Sequence, residues 1–245
     1  MTKSILLVLF FSIISCSQKS KEQTVHLPEK IVVKKQTPKP EVKPESIGKV
    51  LDETFTDSTQ VGAKGKFKLT VEQFKTDQSD SAYVEINLFE KRNNKWIIQQ
   101  KLEYFKDEIN NCDAQLNDFN NDGFNDLTFQ SSVAARGANE IRKLLIFNPS
   151  KKKFILMKNS DNYPNLQYNE LLNCVDAWLV YGGSSTVFLK IEKDSLRKFA
   201  GVSLDNDNRE IYIIDKKGKR KTIKKEIVKD LEVYTRYKNY NPLTE

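Results

Sequence analysis

From about residue 49 onward the chain is built of short apolar runs and two-residue alternations, separated by clusters of Asn, Asp, Gly and Lys. In 66–71 the apolar residues Phe67, Leu69 and Val71 alternate with lysine and threonine, and 83–89 repeats the device with Val84, Ile86 and Leu88. A period of two is that of a pleated strand with one buried face. Polar turns between paired runs predict hairpins: 83–89 with 96–98 through 91–95, 144–147 with 154–156 through 148–153, and 210–214 with 222–223 through a turn containing Gly218. About a dozen such strands at short spacing indicate one antiparallel all-β domain over residues 48–245. Helix is scarce. One turn is expected over 194–200, and 225–237 reads either as a helix presenting Ile227, Leu231 and Tyr234 or as a strand presenting Leu231, Val233 and Thr235.

The first residues follow another pattern. Lys3 precedes an apolar run, 5–14, that is short for a bilayer span and has the form of a signal peptide over 1–15. Ile13-Ile14-Ser15-Cys16 resembles a bacterial lipobox, and the resemblance implies diacylation of Cys16 and a lipid anchor in a membrane. Paired acyl chains anchor firmly where one does not. Residues 16–47 turn to Lys, Glu, Gln, Thr and Pro, with prolines at 28, 38, 40 and 44. Such a segment buries too little apolar surface to offset its ordering entropy, so it reads as a disordered tether, with Ile31-Val32-Val33 its only strand-like hint.

The formal net charge is +7, and loss of Lys3 with the leader leaves +6. The densest basic cluster, Lys216, Lys217, Lys219, Arg220 and Lys221, surrounds a hairpin turn, where lysines discourage edge-to-edge association. Export also separates the chain from nucleic acid, so no nucleic-acid partner is expected. In an oxidising compartment Cys112 and Cys174 are either a disulfide or two buried thiols. Histidine occurs once, as His26 in the tether. The domain therefore has no imidazole for a Ser-His or Cys-His pair or for a zinc site, although its many carboxylates remain compatible with a glycosidase-type acid pair.

Residues 118–126 carry the most specific pattern. Asp118, Asn120 and Asp122 stand at alternate positions, Gly123 follows, and Asp126 is ninth, giving D-x-N-x-D-G-x-x-D. Side-chain oxygens at positions 1, 3 and 5 wrap a hard cation, glycine at 6 permits the sharp turn, and Phe124 at 7 offers its carbonyl. Position 12 is Phe129, and 127–130 alternates as a strand. The loop thus resembles the calcium hairpins of FG-GAP and VCBS-type repeats rather than an EF-hand. That resemblance implies bound Ca2+ at the weak affinities of extracellular modules, on the order of 0.1–1 mM, and a propeller-like arrangement. The related stretch 205–210 has Arg209 and Glu210 where an acid and the glycine belong.

Residues 111–189 further resemble exported β-rich immunity proteins against lysozyme-like toxins. The implied function is a membrane-anchored, calcium-stabilised binding module of the cell envelope, in the outer membrane facing the periplasm or at the cell surface, whose partner is a cell-wall glycosidase or another envelope protein. The candidate surface is the segment after the loop strand, with Arg136 and Asn139 as its polar anchors; loops carry such contacts, and arginine is favoured at interfaces. A carbohydrate-active or structural envelope lipoprotein is the alternative.

Overall fold

A computed structural model describes residues 48–76, 81–106, 110–228 and 234–245. The expected signal peptide, Cys16 and the tether lie outside them, as do 229–233. Residues Ser46–Glu245 form one compact unit, and its described elements are almost all strand.

The N-terminal alternations become a four-stranded antiparallel meander: β1 (Lys49–Asp57), β2 (Phe67–Thr76), β3 (Ala82–Arg92) and β4 (Lys95–Lys106). The β3–β4 turn is shorter than expected, only Asn93-Asn94. Both residues have positive φ, the backbone hand that matches the twist of a two-residue hairpin. A second sheet follows in chain order: β5 (Gln115–Asn117), β6 (Asp126–Ala134), β7 (Asn139–Asn148) and β8 (Lys153–Leu156). The third has six strands: β9 (Gln167–Asn169), β10 (Cys174–Val180), β11 (Ser184–Glu192), β12 (Ser195–Asp205), β13 (Asn208–Ile214) and β14 (Arg220–Ile227). A C-terminal hairpin, β15 (Asn239–Tyr240) with β16 (Leu243–Thr244), completes the unit. The four sheets are separate, and their described strands close neither a barrel nor a propeller.

Residue parity decides how the sheets pack. On β7, Leu145 and Phe147 point into a core shared with Leu69, Val71, Val84, Ile86 and Leu88 of the first sheet. Leu144 and Ile146 point the other way, into a core shared with Val175, Ala177, Val187 and Leu189 of the third. The run 144–147 is thus apolar throughout because both faces of its strand are covered. The far face of the six-stranded sheet, with Phe188, Ala200, Val202 and Leu204, is capped by Tyr237 and Tyr240 of the C-terminal segment.

The helical turn expected over 194–200 is absent: Lys193-Asp194 is the turn between β11 and β12, and the rest is strand. A bulge at Phe199 explains the misreading, since Leu189 pairs with Lys198 while Phe188 pairs with Ala200. The extra residue shifts the phase of alternation, so Leu196, Phe199 and Ala200 acquire helix-like spacing. At the other ambiguous stretch, β14 continues as strand to Ile227.

The β1–β2 connection is fastened to the second sheet. Asp57 accepts hydrogen bonds from the amides of Gln60 and Val61, both at 2.8 Å, and Val61 forms a bridge with Asn125. Gly62, at φ 55°, lies so close to two rings that a Cβ there would sit 2.7 Å from Phe67 and 3.0 Å from Phe147. Gly62→Ala is expected to lower stability by about 1–3 kcal/mol through strain and overpacking, read as an earlier urea midpoint at unchanged m-value. An unchanged midpoint would remove this contact from the account of the core.

Candidate functional site

The predicted ion loop connects β5 to β6, whose ends pair through Asn117 and Asp126, so strand, loop and strand form one hairpin. Its side chains turn inward onto its own backbone. Asp118 accepts from the amides of Asn120 (3.3 Å), Asp122 (3.2 Å) and Gly123 (2.8 Å). Asn120 accepts from the Asp122 amide at 3.1 Å, and Asp122 from the Phe124 amide at 2.9 Å. Gly123 has φ 85°, the left-handed turn its position requires. Phe124 leaves its backbone in the loop and packs its ring against Phe147, 5.8 Å between centroids.

Asp126 differs from the other acids. It is fully buried and joins two segments, accepting from the Phe119 amide through Oδ2 and the Phe147 amide through Oδ1, each at 2.8 Å. Burial pushes its pKa up to about 7; the two amide bonds oppose the rise, and the charges of Asp122 and Asp118 add to it. Among the described residues none of these three carboxylates has an ion pair. The oxygen-only donors, the glycine turn and the mutual repulsion of acids are the chemistry that a hard divalent cation satisfies. The carboxylates nevertheless face amides rather than a common centre, for no three His, Cys, Asp or Glu side chains converge among the described residues.

The candidate interface residues separate. At the tip of the β6–β7 hairpin Ala135, Arg136 and Gly137 all have positive φ, at 50°, 57° and 92°. Arg136 is exposed and takes part in no ion pair or hydrogen bond among the described residues. Glu140, four residues on, binds Arg142. Asn139 is committed to the scaffold: its Nδ2 donates to the Val180 carbonyl and its Oδ1 accepts from the Val180 amide, both at 2.8 Å.

The disulfide alternative is overturned. Cys112 and Cys174 are free, and they are buried in different cores, the first packed against the N-terminal sheet and the second beneath the C-terminal segment. Cys112 is also not in a strand; it precedes β5, and its carbonyl accepts from the Gln130 amide at 2.6 Å. Burial pushes both thiols up to about 12, so they pack as neutral small groups.

Sequence reasoning missed a cleft of about 790 Å³ beside the loop, where the second and third sheets meet. Asp118 forms part of its wall, with Arg142 of β7, Trp178 of β10 and Arg236 near the C-terminus. The members are far apart in sequence and only the fold collects them. The signal available in sequence was weak: an asparagine-rich stretch, 159–173, that bridges the two sheets. Within it Asn165 donates to the carbonyls of Ala138 (2.9 Å) and Trp178 (2.8 Å) and accepts from the Glu140 amide at 3.1 Å.

No protein family and no curated protein matches the sequence. Among solved structures, a Xanthomonas Type IV secretion system related protein aligns over 74% of this chain and 96% of its own, at 14% identity and a TM-score of 0.46. Similarity at that level assigns no role to any residue here.

The raised pKa of Asp126 sets a pH dependence for the protein in chelator. The folded state holds the proton to about pH 7, whereas the ordinary carboxyl value is 3.8. The linked stability is therefore full below pH 4 and is lost as pH rises to 7, by up to about 4 kcal/mol. Thermal midpoints should fall across that window, and Asp126→Asn should flatten the slope while lowering the midpoint, because its amide group must face one of the two N–H donors. A wild-type slope equal to that of Asp126→Asn would refute the assignment.

Proposed function

We propose that this chain is a membrane-anchored, calcium-stabilised binding module of the cell envelope, and that it inhibits a cell-wall glycosidase by presenting Arg136. The observation that carries this reading is the tip of the β6–β7 hairpin, where three successive left-handed residues hold an unpaired guanidinium out in solvent. Such a backbone costs of order 1–3 kcal/mol at each of the two non-glycine residues, Ala135 and Arg136, and persists where it serves a purpose. A rigid tip loses less entropy on docking than a mobile one. The glycosidase is a fitting partner because such enzymes work with paired carboxylates, and an acidic cleft steers and orients an incoming cation.

The ion belongs to the same reading. Asp118, Asn120, Asp122 and Asp126 would supply side-chain oxygens and Phe124 its carbonyl, and the ion would offset the repulsion among the acids. β6 runs from Asp126 directly to the hairpin tip, so a stiffened loop braces the strand that presents Arg136. Attachment through Cys16 would hold the module at the membrane, within reach of enzymes that act on the wall.

Two measurements test the parts separately. At calcium about ten times its Kd the thermal midpoint should rise by about 3–6 °C over chelator, and Asp122→Ala should lose the rise. Coincident curves for both proteins would remove the ion. Against peptidoglycan hydrolysis by a panel of lysozyme-type enzymes, Arg136→Ala should weaken inhibition by about 30-fold, as expected of a central interface arginine. Equal inhibition by wild type and variant, or none by either, would overturn the partner.

A further inference from the structure

The cleft between the second and third sheets has the volume of a small-molecule site, about 790 Å³, and its wall is built rather than incidental. Asn165 ties three backbone groups across it, the Asn165 amide donates to the Glu140 carbonyl at 2.8 Å, and the Trp178 amide donates to the Pro164 carbonyl at 3.2 Å. These bonds fix the near ends of β7 and β10 relative to each other.

Charge narrows what the cleft can hold. Arg142, with a side chain only 5% exposed, donates to Asp113 and Glu140 and, at 3.2 Å, to Thr128. Arg236 is spent on the buried carboxylate of Asp176. Both guanidinium groups are thus neutralised by the protein, while Glu170 adds negative charge to the wall with no ion pair among the described residues. Phosphate or nucleotide would be repelled.

The groups left to bind a ligand are of three kinds. Asn117 and Gln167 contribute primary amides, each a donor and an acceptor, with no partner among the described residues. Glu170 contributes exposed acceptor oxygens. Aromatic surface comes from Tyr168, Trp178 and Tyr234, the last 54% exposed. The indole Nε1 of Trp178 is shielded from solvent and has no acceptor among the described residues. A lysine-rich peptide has carbonyls as well as ammonium groups, but it carries no array of hydroxyls and no flat C–H face to lay against the rings. A sugar ring matches all three kinds, because its hydroxyls donate and accept and its C–H face lies against an aromatic ring.

We propose that this cleft is a non-catalytic site for a neutral oligosaccharide, with Tyr234 and Trp178 as stacking surfaces and Asn117, Gln167 and Glu170 as hydroxyl partners. It is separate from the Arg136 tip, and a sugar held there would keep the module beside glycan without engaging any enzyme.

The chain has two tryptophans, Trp96 on β4 and Trp178 in the cleft, so Trp96→Phe leaves Trp178 as the only indole reporter. The full-length Trp96→Phe protein is titrated with chitotetraose, cellotetraose, maltotetraose and a trilysine peptide. At least one oligosaccharide should saturate a change in Trp178 emission below about 10 mM, the range of weak single-site binding, and trilysine should not. Adding Tyr234→Ala or Glu170→Gln to that background should each weaken the sugar about tenfold, the loss of one stacking or charged hydrogen-bond contact, with unchanged thermal midpoints since both residues are exposed. No emission change with any sugar, a preference for trilysine, or sugar binding indifferent to both variants would overturn the proposal. The titration contains no glycosidase, so failure here leaves the Arg136 reading standing, and failure of inhibition leaves the sugar result standing.

Discussion

Asp126 stands where three parts of the molecule meet. Its two oxygens take the amide of Phe119 in the loop and that of Phe147 on β7, from a fully buried position at the first residue of β6. A carboxylate in such a place is expensive, since burial disfavours its charge and two neighbouring acids repel it. What it gains is register: the loop cannot shift along β6, nor β6 along β7, without orphaning a buried amide. Phe147 then carries the constraint into the first core through its contacts with Phe67, Phe124 and Phe154.

The second sheet is correspondingly the middle of the molecule. β7 buries residues of both parities, and each neighbouring sheet contributes the opposite wall of one core. Polar groups between the sheets are satisfied by side chains that stand in for backbone, as where Asn139 meets Val180 and Asn165 meets Trp178. These asparagines join sheets that share no strand ladder, and their spacing leaves the cleft open beside them.

Where strands alternate cleanly, as in β2 and β3, the sequence alone carries the answer because one periodic signal matches one buried face. β12 was illegible for a local reason, since the bulge at Phe199 changes the phase of the pattern halfway along the strand. The ion loop was legible as chemistry, each oxygen at its proper interval, yet the inward turn of Asp126 toward Phe147 depends on a strand about twenty residues away that no spacing rule reaches. Arg136 could be named as exposed, but its backbone strain depends on how β6 and β7 close. Asn139 and Asn165 look in sequence like ordinary loop asparagines, and only the juxtaposition of sheets gives them different tasks.

In every large sheet the spatial order of strands follows their order in the chain, forward or reversed. No strand waits for a partner made much later, so each hairpin can close while the chain beyond it is still unfolded. The segment that breaks this rule is the C-terminal one, whose Tyr237 and Tyr240 cover Phe188 and Ala200 from a distance along the chain. A molecule assembled in this way acquires its ladders early, while the apolar cover of its six-stranded sheet waits until Tyr237 and Tyr240 have been made.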